Sequence, residues 1–168
     1  TRRMYESHFG ISGPPFQLSP DPSFYFDSQG HHDALAVLRR GLAETAGFVV
    51  VSGEIGAGKT TLVRMLISEL DPSKLVVGQV LTTQLDDAEL MRAVAMAFGI
   101  PGDADTAEAI EAGLQSFLLA LAKEGRRGLL IVDEAQNLSE ALLEEIRLLS
   151  NLETPQSKLI QIMLVGQP

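Results

Sequence analysis

Val49-Val50-Val51-Ser52-Gly53-Glu54-Ile55-Gly56-Ala57-Gly58-Lys59-Thr60-Thr61 is the stretch that decides how this chain folds. An apolar run breaks into G-x-x-x-x-G-K-T and then continues with helical periodicity. The spacing has a physical cause. A short buried strand, expected over Phe48–Ser52, ends at a tight turn, where Gly53, Gly56 and Gly58 let the backbone come close to a chain of phosphates. Loop amides between them, those of Glu54, Ile55 and Ala57 included, are expected to point inward. A helix starting near Lys59 adds its positive N-terminal end. Lys59 then reaches the β- and γ-phosphate oxygens, the Thr60 hydroxyl is placed to ligate Mg2+, and Thr61 completes the cradle. A glycine-rich turn that only capped a helix would not require strand, loop and helix in this order.

A second motif completes the site. Leu129-Leu130-Ile131-Val132-Asp133-Glu134 is a buried strand that delivers two carboxylates to its C-terminal edge, where open α/β sheets bind ligands. Asp133 is expected to hold Mg2+ through water, opposite Thr60. Glu134 is expected to orient and deprotonate the water that attacks the γ-phosphate. Transfer to a substrate hydroxyl usually needs no carboxylate there, so the pair favours hydrolysis. Asp133-Glu134-Ala135-Gln136 also looks like a helicase box, but the other helicase motifs and a second motor domain are missing.

Size and composition set the frame. The 168 residues suffice for one domain with a substantial core, and 45% of them are apolar, which predicts a folded globular protein. No apolar run approaches the ~18 residues of a membrane span, and the N-terminal stretch lacks the apolar core of a secretory signal. The absence of cysteine removes disulfides and thiolate metal sites and fits a reducing, cytosolic setting. A net charge of −9 argues against a broad basic nucleic-acid surface while leaving room for a local basic patch.

Residues 4–30 read as an irregular strap. They hold six of the nine aromatic residues, interleaved with Gly13-Pro14-Pro15 and Pro20-Asp21-Pro22, and proline at that density prevents a long helix or central strand. Residues 31–168 read as the nucleotide-binding core. A helix is expected from about His31 to Glu44, capped by Ser28, and another after the phosphate loop, stopped by Asp71-Pro72. Further expectations are a strand over Leu75–Leu81, helices over Asp87–Phe98 and Thr106–Lys123, a strand over Leu129–Val132, a helix capped by Ser139, and a strand over Leu159–Val165. Alternating strands and helices predict a parallel sheet covered on both faces.

The motifs and their flanks resemble a known family. Met4-Tyr5, Phe9-Gly10, Pro15-Phe16, Pro20-Asp21-Pro22, Phe24, Ser28, His31 and Ala34-Leu35 look like the start of the general secretion pathway protein A family. That family includes ExeA-type AAA+ ATPases and the related ATPase of exosortase (PEP-CTERM) gene clusters. The likeness continues through the Gly53–Thr61 loop, Asp133-Glu134-Ala135-Gln136-Asn137-Leu138, Leu148–Thr154 and Leu164-Val165-Gly166-Gln167-Pro168, so it covers essentially the whole chain.

The resemblance implies an α/β P-loop NTPase of AAA+ type. It implies a three-layer α/β/α arrangement with strand order 5-1-4-3-2, the fifth strand and helical lid lying outside this chain. It implies an ATPase using ATP and Mg2+ in a cell-envelope secretion or exosortase assembly system, at the cytoplasmic face of the inner membrane, with self-association in the full-length protein. Phe16 and His31 become candidates for base contacts. Gln167 becomes the candidate γ-phosphate sensor, with Asn151 as a weaker one. Arg126, Arg127 and Arg147 are expected to be solvated charges and not an arginine finger, so this chain should bind nucleotide with weak turnover. Two other functions share these motifs: a DNA-binding ATPase of the transposition type, with DNA disfavoured by the acidic balance, and a nucleotide-gated scaffold without productive hydrolysis.

Overall fold

The computed structural model describes residues 29–44, 46–82, 87–101 and 106–168. The expected strap lies outside these residues except for its last two positions, which already belong to the first helix. Four apolar runs become strands: β1 (Phe48–Ser52), β2 (Leu75–Leu81), β3 (Arg127–Asp133) and β4 (Ile160–Gly166). All pairings are parallel, in the order β1-β4-β3-β2, with Val51 opposite Val165, Val132 opposite Leu164 and Leu81 opposite Asp133. This is the 1-4-3-2 portion of the expected sheet. Among the described residues β1 is an edge strand, with Val50 67% exposed.

The central strands are apolar on both sides because helices cover both faces. In β3, Leu129 and Ile131 enter one core with Met163 and Val165 of β4, packed against α1 (Gln29–Ala43) and α2 (Lys59–Glu69). Leu130 and Val132 enter the other core with Ile160 and Ile162, under α3 (Asp87–Ala97), α4 (Ala107–Lys123) and α5 (Glu140–Ser150). The result is the expected α/β/α sandwich. Two glycines let the helical layer sit close. A Cβ on Gly128 would lie 2.9 Å from Leu118, and one on Gly78 would lie 3.2 Å from the Phe98 ring.

Helix boundaries follow local chemistry. Thr106, expected as the first helical residue, is instead the cap of α4: its hydroxyl accepts from the Ala109 amide at 3.2 Å. Ile110, Leu114, Leu118 and Leu121 then form its buried stripe. Ser139 caps α5 through the Leu142 amide, turning Leu142, Ile146 and Leu149 inward as the spacing predicts. α3 stops at Ala97, one residue early, because Phe98 leads into Gly99 at φ 76°. β3 outruns the apolar tetrad at both ends, since ladder pairing uses backbone and tolerates Arg127 and Asp133 at the edges. β4 begins at Ile160, because the Leu159 amide donates instead to the Leu152 carbonyl. No helix among the described residues is long and apolar enough to cross a membrane.

Candidate functional site

Parallel strands deliver the ends of β1, β3 and β4 to one edge of the sheet, and both sequence motifs lie there. The loop after β1 turns through Gly56 and Gly58, whose φ values of 78° and 82° lie in the left-handed region that L side chains avoid. Gly58 is the N-cap of α2 and supplies no side-chain cap, so the first amides of that helix keep their donors for another acceptor. Lys59 folds back over the loop and donates to the carbonyls of Gly53 at 2.7 Å and Glu54 at 2.9 Å. Its ammonium is thereby held over the concave side of the turn. Glu54, Ile55 and Ala57 are exposed on the loop, and Thr61 is half-buried in the first turn of α2.

Thr60 and Asp133 line one cavity of about 330 Å3, together with Arg64, Gln79 and Leu81. A hydroxyl and a carboxylate facing the same space suit a hard cation that takes its remaining ligands from water and phosphate oxygens. Among the described residues no three His, Cys, Asp or Glu side chains converge into an all-protein metal cage. The loop and this cavity therefore fit Mg2+ bound together with a phosphate chain.

The acidic loop is built by contacts that its own sequence does not announce. Glu134 adopts φ 55°, and it is the one non-glycine residue in that region among those described. Such a conformation costs on the order of 1–2 kcal/mol, so neighbours must hold it. Thr82, buried at the end of β2, does so. Its amide donates to the Asp133 carbonyl at 3.1 Å, and its hydroxyl lies 2.8 Å from the carbonyls of both Asp133 and Glu134. Asn137 closes the clamp by donating to the Thr82 carbonyl at 2.9 Å. Asp133 accepts from the Glu134 amide at 2.9 Å.

Gln136 connects the acidic loop to the end of β4. Its amide nitrogen donates to the Glu134 carboxylate, and its oxygen accepts from the Gln167 amide at 3.0 Å. Gln167, the candidate sensor, directly follows β4, and this contact is made by its backbone amide. Asn151, the weaker candidate, ends α5 beside Leu152, which bonds to the start of β4, so it lies at the opposite edge of the sheet. His31, in the first turn of α1, meets the phosphate loop: its Nε2 donates to the Ala57 carbonyl at 2.9 Å. Phe16 lies outside the described residues. Thr82, Gln136 and Asn137 were not among the expected site residues. A polar residue ending an apolar strand was the only signal for Thr82, and the topology alone places it beside Asp133.

Known proteins resemble this chain along most of its length. The sequence profile described as "AAA domain" matches residues 40–168. General secretion pathway protein A of Aeromonas hydrophila is 42% identical over 166 residues, which is 98% of this chain and 30% of that protein's length. Among solved structures, Cdc6p of Pyrobaculum aerophilum superposes with a TM-score of 0.66 at 18% identity, covering 88% of this chain and 42% of its own. The Aeropyrum pernix ORC2 protein, solved in ADPNP-ADP complexes, gives 0.62 at 19% identity, over 90% and 44%. The Drosophila ORC bound to DNA gives 0.61 at 17%, over 99% and 51%. Those three likenesses establish the fold. With the profile match over most of its length, this chain belongs to the AAA domain family of P-loop NTPases, and along nearly all of that length it is similar to general secretion pathway protein A.

Proposed function

We propose that this chain is the ATP-binding and ATP-hydrolysing AAA+ module of a cell-envelope secretion or exosortase assembly system, working at the cytoplasmic face of the inner membrane. The observation that carries the reading is the convergence of the Gly53–Thr61 loop with Asp133 and Glu134 at one sheet edge, with Thr60 and Asp133 lining a single cavity. The envelope role rests on the relative from the secretion pathway, of which this chain spans about a third. Partner proteins of that system and self-association through AAA+ interfaces are part of this proposal for the full-length protein.

In this reading the loop amides and the N-terminus of α2 bind the phosphates, and Lys59 moves from the Gly53 and Glu54 carbonyls onto the β- and γ-oxygens. Thr60 and Asp133 hold Mg2+, which when bound screens the phosphate charge and aligns the triphosphate. Glu134 accepts a proton from the attacking water. Gln136 donates to one oxygen of that carboxylate, leaving the other for the water, and in turn holds the Gln167 amide. Sensing at the end of β4 and base activity at Glu134 are then linked through one side chain. His31, held on the Ala57 carbonyl, is the described candidate for a contact to the base, a role this reading also proposes for Phe16. Arg147 is bound to Glu144 on the outer face of α5, so no finger is assigned to it. Turnover by this chain alone is therefore slow.

A phosphate-release assay on the wild-type chain and Glu134→Gln tests the hydrolytic part. Slow release that the substitution abolishes, with ATP affinity retained, is the expected result. Retained release in Glu134→Gln would remove that residue as the base, and ATP affinity lost with it would assign Glu134 to binding.

A further inference from the structure

The chain has 13 Lys and Arg against 22 Asp and Glu. Against that balance, a cavity of about 380 Å3 is lined by Lys74, Arg126, Arg127, Ser157 and Lys158 with no carboxylate in its wall. These residues come from three separate parts of the chain. Lys74 precedes β2, Arg127 opens β3 and Lys158 precedes β4, so parallel pairing gathers them at the N-terminal edge of the sheet. The phosphate loop and Asp133 lie at the other edge, roughly 20 Å away along the seven residues of β3. The cavity is not part of the nucleotide site.

The nearby acids only partly neutralise it. Glu153 meets Lys158 at 2.8 Å, Glu124 meets Arg126 at 3.3 Å and Asp71 reaches Lys74 at 4.0 Å, and all three carboxylates are more than half exposed. Asp71 is further occupied by the Ser73 amide and hydroxyl, which hold its carboxyl below the usual range. The two arginines stand out. Arg127 donates to the Leu42 carbonyl at 2.8 Å and has no carboxylate within ion-pair distance among the described residues, while burial pulls its pKa down. Arg126 spends its terminal nitrogens on long bonds to Glu124 and Pro72, and its Nε is buried without a partner among the described residues. A buried guanidinium donor left unmatched is costly, and an anion in the cavity would repair it.

We propose that this cavity binds a phosphoryl group, either as a soluble phosphate or phosphomonoester or as the phosphomonoester headgroup of an anionic lipid. Four cations in one lining suit a group bearing close to two negative charges and three acceptor oxygens better than a lone carboxylate. Arginine forks supply paired donors and the two ammoniums act as point charges beside them.

The test uses the whole chain carrying Lys59→Ala, so that the phosphate loop does not compete. Inorganic phosphate is titrated while backbone amide shifts of Arg126, Gly128 and Ser157 are followed by NMR. Saturable shifts are expected, weakened about tenfold or more by Arg126→Gln and by Lys158→Gln. The amide spectrum also reports that each variant is folded. Co-sedimentation with phosphatidic acid vesicles, against phosphatidylcholine vesicles, separates the two sources. Retention abolished by the same substitutions identifies a lipid headgroup, and saturable phosphate binding without retention identifies a soluble ligand. Absence of both, or responses that the two substitutions leave unchanged, would overturn the proposal.

Discussion

Alanine substitutions at the loop glycines should separate backbone strain from contact. Gly56 and Gly58 have nearly the same positive φ, at 78° and 82°. An L side chain there costs about 1–2 kcal/mol, and the stiffer unfolded chain returns about 0.4–1 kcal/mol. Gly56→Ala meets nothing within 4 Å and should therefore cost about 1 kcal/mol. Gly58→Ala carries the same strain, but its Cβ would lie 3.0 Å from Cε1 and 3.1 Å from Nε2 of His31. The ring must give by a few tenths of an ångström, which strains its bond to the Ala57 carbonyl and adds up to about 1 kcal/mol. Gly53→Ala meets only ordinary contacts at 3.5 Å and beyond, with no positive φ, and should be close to neutral. Urea denaturation of the nucleotide-free proteins reads these differences. Removing His31 by His31→Ala should erase the excess at Gly58 and leave the cost at Gly56 untouched. If Gly58→Ala is no worse than Gly56→Ala, or its excess survives without His31, the loop is not braced as described.

Two further perturbations probe other contacts. Gln136→Ala should leave the fold intact but speed hydrogen exchange at the Gln167 amide, because that amide loses its acceptor, and unchanged protection would dissolve the link between β4 and the acidic loop. Arg39 binds Glu69 bidentately between α1 and α2, and this bond holds the Glu69 carboxyl below its usual range. A lowered carboxylate pKa stabilises the fold above the unfolded-state value and loses that contribution as pH falls through the folded one. Both groups are well exposed, so Arg39→Ala should cost at most about 1 kcal/mol near neutral pH. The cost should shrink toward zero in acid and in high salt, and a penalty independent of pH would point to lost packing instead.

How much was legible depended on whether the determinants were local. Strand, glycine loop and helix succeed each other within fourteen residues, from Phe48 to Thr61, so β1, the loop and α2 could be read directly. The apolar tetrad before Asp133 announced β3 in the same way. Thr82 could not be read as a site residue, because its partners are 51 and 52 positions away and depend on β2 lying beside β3. The left-handed turn at Glu134 was equally hidden, since glutamate is not a residue that marks such turns. The basic cavity draws on positions 74 to 158, which only the parallel order of strands brings together. At Thr106 the error was one of kind: the side chain bonds the helix from outside it.

The most direct test of the account is calorimetric titration of ATP with Mg2+ into the wild-type chain and into Lys59→Ala. Lys59 is the cation held over the loop by the Gly53 and Glu54 carbonyls, and it is the group expected to move onto the phosphates. Losing its charge-assisted bonds should weaken binding by about 1.5–3 kcal/mol, on the order of ten- to a hundredfold. The account predicts saturable wild-type binding with that loss in the variant. Equal affinity of the two proteins, or no binding by either, would contradict it.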